Sequence, residues 1–273
     1  MLHPELPARW AHLHWPETDS TMCRLLDAEV AERDEEFVLV TADYQRAGRG
    51  QQDTRWEAER GSNLLFGFRF SPTFLRADEQ FRLSEALALA VAGAVGSLVP
   101  DVSIKWPNDV YYRDGKICGM LLEHDLQGSH IGTTRTGVGL NVNQRAFTGD
   151  APNPVSLRQI LGRETDRDAL LTDILRRFDT DYRLLQAGGG AALDRRYAEA
   201  LYRREGFFPY RDAGGEFLAR IEAVAPNGQL TLVDEAGRRR SYAFKEVAYV
   251  LPAFVTPGPA AAAPSSPCPR HED

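Results

Sequence analysis

Residues 102–143 read VSIKWPNDVYYRDGKICGMLLEHDLQGSHIGTTRTGVGLNVN. Residues 102–106 and 110–112 form two short extended runs, and residues 116–126 and 130–143 form two longer ones. Arg113-Asp114-Gly115 and Gly128-Ser129 supply the turns between them. Strands joined by tight turns pair antiparallel, because a parallel pair needs a long crossover. Upstream, the pattern is strand, helix, two strands, helix. The order predicts an α+β fold with a mixed or antiparallel sheet flanked by helices, not a βαβ repeat.

Working outward, residues 37–42 (FVLVTA) and 63–70 are predicted strands, with Leu64, Phe66, Phe68 and Phe70 on one face of the second. Between them lies a polar loop in which Gly48 and Gly50 bracket Arg49, with Arg46 and Arg55 beside them. Glycine lets backbone approach a ligand, and guanidinium forks suit carboxylate and phosphate oxygens. A solvated basic loop has the same composition. Residues 13–17 read as a strand that meets Thr18-Asp19-Ser20-Thr21, a run of favoured helix caps, and helical spacing follows at Met22, Leu25, Leu26 and Val30. Residues 78–98 form a long apolar helix, and further helices are predicted at 156–161, 166–186 and 191–204. From residue 206 to 251 short strands recur between turns, which predicts a small β-barrel. The Pro- and Ala-rich end from residue 252 is expected to be a disordered tail.

The chain has 273 residues and a net charge of −7, which argues against a general nucleic-acid binder. Cys23, Cys118 and Cys268 are widely spaced and make no CxxC pair, so neither a disulfide framework nor a zinc site is expected. His12, His14, His124 and His130 lack metal-ligand spacing. No signal peptide or membrane span is evident, and a cytoplasmic location is expected. Of 32 basic residues, only Lys105, Lys116 and Lys245 are lysine. Where lysine persists against such a bias, a compact amine suits the position better than a planar fork. In KWPND, Pro107 restricts Trp106 to an extended conformation, leaving Asn108 and Asp109 in a turn. There they can face a ligand or simply close an Asx turn.

Five segments occur in order: DSTM (19–22), GRGQQDTRW (48–56), KWPND (105–109), GKICG (115–119) and GVGLNVN (137–143). Together they resemble the biotin protein ligases, over about residues 12–254. The resemblance implies a class II synthetase-like catalytic domain at 1–205, an SH3-like β-barrel at 206–254 and a tail at 255–273. It implies that biotin and ATP form biotinyl-5′-AMP, whose acyl group passes to a lysine of a biotin carboxyl carrier protein. Lys116 and Arg49 would be catalytic. Ser20, Thr21, Gln45, Gly48, Arg49, Lys116 and Gly119 would bind biotin. Gln51, Arg55, Trp56, Asn108, Asp109, Lys116 and Asn141 would bind ATP or the adenylate, with Trp56 packed near the adenine. Mg²⁺ would enter with ATP, with Asp109 as a contributor. The loop is less basic than the family's usual GRGRRGRxW, which implies weaker retention of the adenylate. About a dozen residues precede the first core strand, so a monofunctional enzyme without a DNA-binding domain is expected. No membrane partner is expected, and homodimerisation stays open. Alternatives are a lipoate or octanoate ligase on the same fold and a non-catalytic biotin sensor.

Overall fold

The structure is a computed structural model that describes residues 2–48, 50, 56–149 and 151–253. The expected tail at 255–273, together with Arg49, Gln51 and Arg55, lies outside the described residues. The first sheet has seven strands: β1 (Trp10–Trp15), β2 (Phe37–Ala42), β3 (Leu64–Phe70), β4 (Val102–Lys105), β5 (Asp109–Tyr112), β6 (Gly115–Gln127) and β7 (His130–Leu140). Their order is β1-β2-β3-β7-β6-β5-β4. Only β1 and β2 run parallel; every other neighbour pair is antiparallel. The mixed sheet expected from the hairpin pattern is therefore present.

One face of this sheet is covered by α3 (Phe81–Gly96) and α5 (Arg167–Gln186), with α6 (Gly190–Glu199) beside them. Strand alternation sends Phe66, Phe68 and Phe70 to this side, where Phe68 and Phe70 meet Phe37, Phe178 and, for Phe70, Tyr182 at ring-centroid distances of 4.8–6.4 Å. Each fully buried Phe contributes about 1.5–3 kcal/mol by removal from water. The opposite face carries Val38 and Val40, which pack under Leu25 and Val30.

Leu25 and Val30 belong to a segment whose spacing predicts one helix. The structure instead forms two short helices, α1 (Thr21–Arg24) and α2 (Ala28–Ala31). Leu26 and Asp27 close a tight turn between them through bonds to Cys23 and Arg24. Leu26 counts toward the apolar period but points outward, 65% exposed. The last predicted helix likewise stops at Glu199 rather than Arg204.

The second sheet is antiparallel and five-stranded, ordered β11-β10-β9-β8-β12, from β8 (Phe208–Asp212), β9 (Gly215–Val224), β10 (Leu230–Asp234), β11 (Arg239–Tyr242) and β12 (Ala248–Tyr249). Among the described residues no pairing of β11 with β12 closes it into a barrel. It docks on the first unit through the Trp106 indole, which donates to the Gly228 carbonyl at 3.0 Å and packs against Phe244. Among the described residues, no helix is long and apolar enough to cross a membrane.

Candidate active site

Pairing registers set one row of residues across the first sheet: Trp15, Ala42, Leu65, Gly139, Gly119, Asp109 and Lys105. Directly paired residues share a face. The same face carries Gly67 and Gly137, one pleat away and paired with each other. Four glycines thus form a floor with no side chains. Groups from above descend onto it. A Cβ at Gly137 would lie 2.7 Å from Met22 Cγ, and one at Gly139 would lie 2.3 Å from Trp56 Cε2. At Gly119 it would approach both Trp56 and the Lys116 amine, the latter at 3.2 Å. Gly119 and Gly139 therefore form a slot that the Trp56 indole occupies here. The indole Nε1 is buried and makes no hydrogen bond.

Simple alternation along β6 would put Lys116 on the face opposite Gly119. A register shift intervenes: Val110 pairs with Cys118, Tyr111 pairs with Lys116, and Ile117 is skipped. Bulges re-aim side chains in this way. The Lys116 amine consequently reaches Asp109, 2.7 Å away, and lies 5.9 Å from the Trp56 ring centre. Its backbone is pinned by bonds with Asn153 and Val155 at 2.7 and 3.0 Å. Lys116 keeps 31% of its side-chain exposure, so a ligand can reach it. The neighbouring Cys118 thiol is fully buried, and burial pushes its pKa well up, so it is no nucleophile.

At the other end of the floor stands a polar cluster. Ser20 caps α1 by accepting from Met22 N at 3.2 Å. Gln45 Oε1 accepts from Thr21 N at 2.7 Å and from Thr21 Oγ1 at 3.2 Å. A short parallel bridge between Thr18 and Gln45 brings these segments together. Gly48 closes the loop by accepting from Trp56 N at 3.0 Å.

Asn108 and Asn141 lie beside the slot, but their amide groups are committed to the backbone. Asn108 donates to the Met120 carbonyl, and Asn141 donates to the Val155 carbonyl at 3.2 Å. Asn141 Oδ1 is buried and unpartnered, which leaves an acceptor free. Sequence reasoning missed two contributors. Glu57 accepts from Thr148 N and Gly149 N, anchoring the chain just after Trp56. Gly139 completes the slot, and its only sequence signal was the Gly-rich run 137–143. Arg49, Gln51 and Arg55 fall outside the described residues.

The arrangement suits an elongate molecule: a hydrogen-bonding head at Ser20, Thr21 and Gln45, a flat apolar passage over glycines, and an anionic end at Lys116. Among the described residues no group of three or more Asp, Glu, His or Cys side chains could hold a metal ion.

Residues 15–141 match the model of the biotin/lipoate A/B protein ligase family. The chain is 27% identical over 213 residues to a bifunctional ligase/repressor BirA of Bacillus spizizenii, covering 76% of this chain and 65% of that protein. It is 30% identical over 167 residues to the biotin–[acetyl-CoA-carboxylase] ligase of Mycobacterium tuberculosis, covering 60% of each. It thus spans a little under two thirds of both relatives. The structure of a biotin protein ligase from Aquifex aeolicus, in complex with biotin and ATP, superposes with a TM-score of 0.72 at 23% identity. That superposition covers 88% of this chain and 99% of the other, and it establishes the shared fold.

Proposed function

We propose that the biotin/lipoate A/B protein ligase domain at residues 15–141 makes this chain a biotin–[biotin carboxyl carrier protein] ligase. The observation that carries this reading is the glycine floor with a polar cluster at one end and the Lys116–Asp109 pair at the other. A biotin carboxylate oxygen attacks the α-phosphorus of ATP. The bond from that phosphorus to the bridging oxygen breaks, and pyrophosphate leaves with the electron pair. The uncharged amine of a carrier lysine then attacks the acyl carbon of biotinyl-5′-AMP. An amide forms, AMP leaves, and the amine proton passes to solvent.

Two anions must meet in the first step, and Lys116 lies where it offsets their repulsion and stabilises charge on the α-phosphate. Asp109 holds the amine in place. Ser20, Thr21, Gln45, Gly48 and Gly119 line the biotin end. Asn141, with its free acceptor, goes with Asn108, Trp56 and Asp109 on the nucleotide side; the same reading gives Gln51 and Arg55 to ATP or the adenylate, and Arg49 to biotin binding and catalysis. Mg²⁺ would come with ATP and would offset charge on its phosphates. Among the described residues Asp109 is the carboxylate that pairs with the amine, and Lys116 already engages it. The same reading divides the chain into a catalytic unit at 1–205, a small β unit at 206–254 and a tail at 255–273. It places the chain in the cytoplasm without DNA or membrane partners, either alone or as a homodimer.

The polar head cluster suits the hydrogen-bonding ureido end of biotin, whereas the hydrocarbon end of lipoate or octanoate would gain no hydrogen bond from Ser20, Thr21 or Gln45. The test is transfer of biotin to a purified carrier domain. ATP-dependent attachment to a single carrier lysine is expected. Attachment of octanoate or lipoate in preference to biotin would transfer the assignment to those acids. Biotin binding without attachment would make the chain a sensor.

A further inference from the structure

The register row that ends the glycine floor continues past Asp109 to Lys105. Bulged pairing puts Lys105, Asp109, Tyr111 and Lys116 on one face. Lys116 takes Asp109 as its ion partner. Among the described residues, no hydrogen bond or ion pair engages the Lys105 amine. Two aromatic faces hold it instead: Tyr111 at 5.6 Å and Tyr249 at 4.7 Å from the ring centres. Tyr249 comes from the second sheet. It is fixed there by pairing with Tyr210, by ring contact with Tyr210 at 4.9 Å, and by Val250 N donating to Pro209 O at 3.1 Å.

An aromatic face attracts a cation without neutralising it. Among the described residues Lys105 therefore makes no ion pair of its own, and the Asp109 carboxylate that bears on it is already taken by Lys116. Burial lowers its pKa from the ordinary lysine value; Asp109 opposes that shift, and Lys116 and Arg203 add to it. An anion arriving between the two rings would relieve this cost.

We propose that Lys105, held by Tyr111 and Tyr249, binds the β- and γ-phosphates of ATP and the pyrophosphate released from them. Tyr249 is then a positioning residue through which the second sheet contributes to the active site. The assignment rests on the ligase reading. A compact amine with three donors meets phosphate oxygens from between two rings, where a planar guanidinium would stack against one of them. This accounts for a lysine at 105 in a chain that otherwise prefers arginine.

The experiment measures biotin-dependent ATP–pyrophosphate exchange for the full chain and for Lys105→Met, Tyr249→Phe and Tyr249→Leu, with pyrophosphate binding by calorimetry alongside. Lys105→Met is expected to raise the KM for ATP and the Kd for pyrophosphate roughly 10- to 100-fold, the scale of a lost charge-assisted bond. Biotin binding without ATP stays unchanged. Tyr249→Phe keeps the ring and stays within about twofold of wild type, whereas Tyr249→Leu moves the same two constants about three- to tenfold in the same direction. Unaltered constants in Lys105→Met would overturn the proposal, as would equal effects of the Phe and Leu variants. Should Lys105→Met fail to fold, the Tyr249 pair still decides. A wild-type chain without exchange refutes the ligase reading instead, and the calorimetry then tests Lys105 on its own.

Discussion

Lys116 lies on the face of the glycine floor because Ile117 is skipped in the β5–β6 pairing. The scarcity of lysine singles out Lys105 and Lys116 in the sequence, but not the bulge. Which residue a ladder omits depends on both strands, and one strand's alternation would have turned Lys116 away. Gly139 was equally hard to read, since a glycine in a strand signals close approach without naming what approaches. The structure names Trp56. Replacing Gly139 by Ala puts a Cβ 2.3 Å from the indole, closer than real Cβ contacts come, so the ring has to leave its slot. Gly139→Ala is expected to shift tryptophan emission and weaken biotin binding at least about tenfold, the scale of an overpacked, misfitted site. Unchanged titrations of both signals would show that substrate does not use this slot.

At the scale of elements, strand alternation and turn residues made the sheet legible, and its strands fall within a few residues of expectation. The spacing after Ser20 predicts one helix because an exposed Leu26 completes an apolar period that the fold does not bury. In α3 the apolar run hides a charge-bearing side chain. Glu85 is 1% exposed and lies near Asp194 on α6. Burial, reinforced by Asp194, raises its pKa from 4.5 to about 9. The folded chain then holds a proton that the unfolded chain releases. Stability is retained below the unfolded value and falls as pH rises through the window from 4.5 toward 9, by at most about 1.4 kcal/mol per pH unit. Glu85→Gln removes this dependence. Melting curves between pH 6 and 9 should flatten in the variant relative to wild type; parallel curves would mean that Glu85 ionises normally in the fold.

At the scale of the molecule, the two sheets meet at the site rather than away from it. Trp106 bonds to Gly228, and Tyr249 covers Lys105. A change of strand spacing marks the second unit in the sequence, but such spacing cannot reveal that one of its rings reaches the first unit's cations. The five ordered motifs carried most of the functional reading, because Met22, Trp56, Asp109, Gly119 and Gly139, one from each, lie on or over the glycine floor. What they left open was the joint geometry: a head cluster, a flat passage and an amine held by a carboxylate. The central claim is that this geometry activates a carboxylate with ATP at Lys116. Its most direct test is biotin-dependent ATP–pyrophosphate exchange in the wild-type chain and in folded Lys116→Met. The account predicts exchange in wild type and a loss of roughly 100-fold or more in the variant, the scale of removing one positioned transition-state charge; exchange that survives Lys116→Met unchanged would contradict it.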